Sequence, residues 1–188
     1  MPMPTSNSPV IEDIDEFARL AGLHLDEQQA AVLREALRID PETGKWQCPT
    51  WTPPTPGQTD DLVATRVLLG FLILDENVMW SAQHRATLLD AFHRLVNCIN
   101  RLGTANGPSE FDLGHNIRIK ARRTNGEEQL ERLDTGTRIR FISRRYRGAG
   151  RGCRADLLII DDPDFRRREQ DLAPATASRP NPQIVIVE

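Results

Sequence analysis

Cysteine is scarce in this 188-residue chain: Cys48, Cys98 and Cys153 stand far apart, odd in number and without paired spacing. That argues against a disulfide framework and against a zinc site, and leaves three reduced thiols as the expectation. Long apolar runs are also missing. No stretch approaches the roughly 20 residues needed to cross a bilayer, and Met1 to Pro9 is polar and proline-rich with no apolar signal core. The expectation is a soluble, cytoplasmic protein with a disordered tail over 1–9. No internal repeat is present, and neither His84 nor His93 has a metal-ligand partner at useful spacing, so capping or solvated roles are expected of both.

What is present suits one α/β domain with a sizeable core. Hydrophobic residues make up 39% and charged residues 27% of the chain, near the norm for globular proteins. The net charge of −3 conceals an asymmetry, because Ile117 to Arg154 holds twelve Lys or Arg against four Asp or Glu. A basic face is therefore masked by acidic balance elsewhere.

The central pattern is Ala155-Asp156-Leu157-Leu158-Ile159-Ile160-Asp161-Asp162. A continuous apolar run bounded by polar residues suits a strand covered on both faces of a parallel sheet. Such sheets place ligands at the carboxyl ends of their strands, where Asp161 and Asp162 would sit. An acid there can hold Mg²⁺ and its neighbour can orient an attacking water. The pattern also fits a core strand that ends in a solvated acidic turn.

Around this strand the chain alternates between elements. Ile11, Ile14, Phe17 and Ala18 fall at helical spacing, and Gly22 ends that helix. Asp26 is a good N-cap for a second helix with Ala30, Leu33 and Leu37 as its buried stripe, and Gln28 and Gln29 in its first turn. Trp46 to Trp51 reads as a short strand. A proline-heavy loop, Thr52 to Asp61, then opens onto an apolar helix, Leu62 to Leu74. A glycine-containing loop before a helix is where phosphate would be cradled, but this one lacks the usual lysine. Asn77 to Gln83 reads as a buried strand, Arg85 to Leu102 as a long amphipathic helix, and Gly103 to Phe111 as a loop.

From Asn116 the pattern alternates. Ile117, Ile119 and Ala121 interleave with Arg118, Lys120 and Arg122, and Ile139, Phe141 and Ser143 with Arg138, Arg140 and Arg144. These are half-buried strands with basic outer faces. Asp134-Thr135-Gly136 marks a turn that pairs Glu128–Leu133 with Thr137–Ser143 as a hairpin. The arginine-glycine segment Arg144 to Arg154, with Tyr146 as a stacking group, has the composition of a phosphate or nucleic-acid contact. Residues 165–178 read as helical or irregular, and Gln183 to Val187 as a last buried strand.

Several of these segments, in this order, resemble the ATPase domain of tailed-bacteriophage terminase large subunits. They are Arg-Arg-Thr-Asn-Gly-Glu-Glu from Arg122, Thr-Gly-Thr-Arg-Ile-Arg-Phe-Ile from Thr135, Arg-Gly-Ala-Gly-Arg-Gly from Arg147, and Asp-Leu-Leu-Ile-Ile-Asp-Asp from Asp156. Leu25 to Leu33, Trp80-Ser81-Ala82-Gln83 and Arg179 to Ile184 resemble the adenine-recognition segment, the strand after the phosphate-loop helix and the approach to the coupling motif. The resemblance implies a P-loop NTPase-like α/β fold, layered around a mainly parallel central sheet with a basic β-hairpin, spanning 10–188 as a partial ATPase domain without the nuclease domain.

It further implies ATP and Mg²⁺ as cofactors. Gln29 would contact adenine, Gly57, Gln58 and Thr59 would form the phosphate loop, Asp161 and Thr59 would hold the metal, and Asp162 would be an impaired base. Arg138, Arg140, Arg144, Arg145, Arg147 and Arg151 would meet nucleic acid. The implied partners are double-stranded DNA and the terminase small subunit, portal or other phage proteins, in the cytoplasm of a bacterial host, with no membrane. Departures from the family weaken the enzyme. Gln58 stands where the lysine belongs, Asp162 replaces a glutamate, Pro53, Pro54 and Pro56 remove backbone donors, and Ile186-Val187-Glu188 replaces hydroxyl-bearing coupling residues. The readings left open are a weak or inactive packaging ATPase, a non-catalytic interaction module for nucleic acid or the packaging complex, and one half of a split motor.

Overall fold

The computed structural model describes residues 14–54, 60–124, 126–144, 152–161 and 169–187. Its elements run α1 (Ile14–Ala21), α2 (Glu27–Ala36), β1 (Thr50–Trp51), α3 (Asp60–Leu72), β2 (Val78–Ala82), α4 (Arg85–Leu102), β3 (Thr104–Ala105), β4 (Glu110–Asp112), β5 (Arg118–Arg122), β6 (Gln129–Arg132), β7 (Arg138–Ser143), β8 (Leu157–Asp161), α5 (Glu169–Thr176) and β9 (Gln183–Val187). They build one nine-stranded sheet in the order β1-β9-β8-β2-β7-β6-β5-β4-β3. Along that order, pairings from β1 to β7 are parallel. Those from β7 to β3 are antiparallel.

The expected α/β layering is what the chain adopts, and the burial pattern explains why. Leu157 and Ile159 face one core with α1, α3 and α4, while Leu158 and Ile160 face a second core with Leu172 and Ala175 of α5. Covering both faces removes the period-two alternation, which is why this strand reads as an unbroken apolar run. In β5 to β7 the alternation persists: Ile119, Ala121, Leu130, Ile139 and Phe141 enter the first core and the intervening residues point away. A third cluster, around Ile14, Leu33, Leu37, Leu62 and Leu69, packs α1 and α2 onto α3. Among the described residues no helix is long and apolar enough to cross a membrane.

Two expectations are corrected. The strand expected over Trp46 to Trp51 is only Thr50–Trp51, with Trp46 in an isolated bridge to Ile39. The loop expected over Gly103 to Phe111 contains β3 and the start of β4, too short to leave a periodic pattern.

Buried polar links set how α3 sits on the sheet. Arg66 is 0% exposed; its Nη1 and Nη2 donate to the two Glu76 carboxylate oxygens at 2.6 and 3.0 Å, and its Nε donates to Gln183 Oε1 at 2.8 Å. Gln183 Nε2 then donates to the carbonyls of Ala36 and Cys48. A Cβ on Gly70 would lie 2.2 Å from Glu76 Oε2, so the glycine is what lets the carboxylate reach the guanidinium.

Arg132 closes the carboxyl end of α3, donating from Nη1 to the carbonyls of Phe71 and Leu72 and from Nη2 to Asp134 Oδ2 at 2.6 Å. The hydrogen bond from Arg132 holds the Asp134 carboxyl below its usual range, against the opposing effect of burial. Burial, reinforced by the Asp61 carboxylate, pushes the Cys98 thiol up to about 11.

Glu76→Gln leaves the buried Arg66 charge uncompensated and is expected to cost about 3 kcal/mol or more in urea unfolding. The double change Arg66→Met, Glu76→Leu should recover most of that loss, and a loss under about 1 kcal/mol for the single variant would show the pair to be solvated. Asp134 has a depressed folded pKa, so its contribution is present above the unfolded value of ~3.9 and is lost as pH falls through the folded one. Asp134→Asn is therefore expected to be less stable than the parent at neutral pH and to lose less stability on acidification, as read from unfolding midpoints across the acid range.

Candidate functional site

The parallel strands all point their carboxyl ends to one edge of the sheet, where open α/β sheets bind ligands. Asp161 is the last residue of β8 there, in register with Ala82 of β2 and Val187 of β9. By strand parity it follows Leu157 and Ile159, so its side chain belongs to the face that α3 packs on. Trp80 Nε1 donates to Asp161 Oδ2 at 3.4 Å. The indole is itself fixed by Phe141, stacked at 6.3 Å, against whose ring Phe92 sets its own at 87°.

Arg144 closes the same edge. The alternation predicts it on the outer face, but it is only 7% exposed. Its Nη2 donates to the Asp161 carbonyl at 3.0 Å and its Nη1 to the Ser81 carbonyl at 3.3 Å. A guanidinium thus joins the ends of β2 and β8 beside the carboxylate. Arg138 and Arg140 do lie half-buried on the outer face, as the alternation requires.

The helix that follows the phosphate-loop position is anchored from both sides. Asp61, in the first turn of α3, accepts from the His24 backbone N–H at 3.0 Å and from Arg94 Nη1 at 2.6 Å. This contact brings the start of α2 to the same end of the molecule. Gln29 lies there, buried, in the first turn of α2. Its backbone N–H donates to Asp26 Oδ1 at 2.7 Å, and its Oε1 accepts from the Asp26 N–H at 3.0 Å. That is a reciprocal capping box, so Gln29 has a structural task at the expected N-cap.

Gly57, Gln58, Thr59, Arg145, Tyr146, Arg147, Arg151 and Asp162 lie outside the described residues, as does the tail over 1–9. Of the expected nucleotide-site residues, the described part brings Gln29 and Asp161 to one edge. Among the described residues no group of three or more His, Cys, Asp or Glu could hold a metal. A single carboxylate suits Mg²⁺, which keeps several of its waters and takes only one or two carboxylates from a protein. The electrostatics are less favourable to phosphate, because the first turn of α3 carries the Asp61 carboxylate where an anion would seek the positive end of the helix.

The chain superposes on the HK97 bacteriophage large terminase with a TM-score of 0.68 at 15% identity, over 98% of this chain and 38% of that one. Against the Thermus phage P74-26 large terminase ATPase domain the TM-score is 0.62 at 14% identity, over 92% and 68% of the two chains. The fold is that of a phage large-terminase ATPase domain. A third large terminase, from a thermophilic bacteriophage, matches with a TM-score of 0.55 at 12% identity, over 87% of this chain and 39% of that one. No family model and no curated protein matches the sequence. The terminase fold therefore rests on backbone architecture, and the chain spans 38% of the length of the HK97 protein.

Residue reading missed Trp80 and Arg144 as neighbours of Asp161. Trp80 reads as part of a buried strand that resembles the one after the phosphate-loop helix, and Arg144 as one of the arginines that would meet nucleic acid. Ser81 was missed as well. Its hydroxyl is fully buried and has no hydrogen-bond partner among the described residues. An orphaned buried hydroxyl is a cost, so Ser81→Ala is expected to raise stability by about 1 kcal/mol in denaturant unfolding. A loss of similar size would mean that the hydroxyl has a partner in the folded protein.

Proposed function

We propose that this chain is a terminase-like protein of phage DNA packaging whose nucleotide chemistry is weak or absent. The observation that carries this reading is the placement of Asp161 at the carboxyl end of β8, on the face of the sheet that receives α3. This is the position at which the terminase-like motif requires a metal-holding acid. When bound, Mg²⁺-ATP supplies the phosphoanhydride bond whose cleavage drives packaging motors.

The chain's own residues are better suited to holding such a ligand than to turning it over. Asp161 would hold the metal through water, with Thr59 as a second donor, and Gln29 would meet the adenine. Gln58 brings a neutral amide where a lysine charge would stabilise the β- and γ-phosphates. Loss of one preorganised electrostatic group costs roughly a hundredfold to a thousandfold in rate. Asp162 is one methylene shorter than the glutamate it replaces and would position water poorly.

DNA is the proposed macromolecular partner. Arg138 and Arg140 on the outer face, with Arg145, Arg147 and Arg151 beyond β7, would contact backbone phosphates, and Arg144 would stiffen the strand end from which that segment leaves. Other phage packaging proteins would be met in the cytoplasm of a bacterial host.

Calorimetry with ATP, with and without Mg²⁺, together with a turnover assay, tests the nucleotide reading. The expected result is binding that needs Mg²⁺ and weakens in Asp161→Ala, with turnover near background. Turnover at motor-like rates that Asp161→Ala abolishes would overturn the impaired assignment. Binding to double-stranded DNA should weaken with salt, by a log–log slope of about −0.9 for each phosphate contact. An absence of DNA binding at low salt would remove the packaging role.

A further inference from the structure

A second charged site lies at the opposite end of the sheet from Asp161 and on its other face. At the amino-terminal ends of β2 and β7 a cavity of about 220 Å³ is lined by Met79, Arg138, Arg140, Cys153, Arg154 and Arg179, among others. Its charges are unevenly matched. Arg138 donates from Nε and Nη2 to Glu131 Oε1 at 3.0 and 2.6 Å. Arg179 faces Asp156 Oδ1 at 3.1 Å, an ion pair whose angle falls short of a hydrogen bond. Arg140 and Arg154 have no carboxylate partner among the described residues.

Arg140 is the telling group. It is half-buried, and its contact is a donation from Nη1 to the Cys153 sulfur at 3.6 Å. A thiol is a weak acceptor and leaves the guanidinium charge uncompensated. Cross-strand neighbours do not supply the missing acid. Arg140 pairs across to Gln129 and Met79, and Gln129 pairs on to Arg122. The next row contrasts with it, since Glu110, Lys120, Glu131 and Arg138 alternate in sign across four strands. Glu131 and Asp156, the acids that meet lining arginines among the described residues, are already engaged, so the described lining carries two guanidinium groups beyond its matched pairs.

We propose that this cavity is a binding site for a small phosphate-bearing anion, with Arg140 and Arg154 as its principal ligands. Guanidinium forks match phosphate oxygens in geometry as well as charge. The volume is below the ~300–1,000 Å³ of pockets that enclose drug-sized ligands and suits a phosphate or pyrophosphate group. The site shares Arg138 and Arg140 with the proposed DNA-facing surface but no residue with the carboxyl edge of the sheet, so it does not depend on the nucleotide reading.

Cys153 provides the readout, since a bound anion bridging Arg140 and Arg154 covers its sulfur. The full chain is alkylated with iodoacetamide in increasing inorganic phosphate or pyrophosphate, at ionic strength held constant with chloride, and each cysteine is followed by peptide mass spectrometry. Mass action predicts Cys153 labelling slowed roughly tenfold when the anion exceeds its Kd about tenfold, with Cys48 unaffected. Arg140→Gln should abolish the protection and Arg140→Lys should retain part of it. Buried Cys98 reports folding in every variant. If Arg140→Gln exposes Cys98 to labelling, Arg154→Gln carries the same test from an exposed position. An unchanged Cys153 rate in the parent, or equal protection in folded variants lacking either arginine, would overturn the site. Protection by a short single-stranded oligonucleotide but by neither inorganic anion would also overturn it, by showing a nucleic-acid contact in its place.

Discussion

The buried pair Arg66–Glu76 is the contact on which the geometry of the molecule turns. Through Glu76 it fixes the turn after α3, through Gln183 it reaches β9, and through the Gln183 amide it reaches the end of α2 and the segment before β1. Trp46 lies over the guanidinium at 5.3 Å and closes its remaining side. A charge in that position cannot be stranded, because the cost of leaving an ion unpaired in the interior is several kcal/mol. Each element it touches is thus held in one arrangement, and the arrangement it selects brings the first turns of α2 and α3 to the same end as Asp161. The contact lies at the amino end of the sheet and its effect is felt at the carboxyl end.

Arginine has three distinct tasks in this fold. Arg66 and Arg132 are interior couplers that tie α3 to strands distant in sequence. Arg144 joins two strand ends through their carbonyls and occupies the space beside Asp161. Arg118, Arg122, Arg138 and Arg140 stand on the outer face of the antiparallel half, where α5 does not reach the sheet core. Charge counting along the sequence treats all of these as one basic patch. The structure separates those whose charge is consumed internally from those that remain able to meet an anion.

The parts of the fold that were legible in the sequence are those where burial leaves a period. β8 was evident from Leu157 to Ile160, α4 from Leu88, Phe92, Leu95 and Ile99, and the β6–β7 hairpin from its alternation and the Asp134-Thr135-Gly136 turn, where Gly136 has a φ of 75°. Two-residue strands leave no period, so β3 and the shortening of the Trp46–Trp51 segment were not legible. The alternation also failed at Arg144, because the register of outward and inward residues stops constraining a side chain once the strand ends. Arg66 is the lone cation within Leu62–Leu74, and no local pattern marks its partners, because Gln183 lies 117 positions away and reaches it only when β9 enters the sheet. At the candidate site the acid of β8 was legible as chemistry, while the indole and guanidinium that surround it were not.

The sheet also ends in a particular way. Both of its outermost strands, Thr50–Trp51 and Thr104–Ala105, are two residues long, and the first is bracketed by Pro49 and by Pro53 and Pro54, which offer no N–H for pairing. Long flat edges invite strand addition and aggregation. Here, among the described residues, each outermost strand of the nine-stranded sheet offers only two residues to a further strand. Among the described residues, a second copy would therefore meet side chains rather than a long strand edge at either outermost strand.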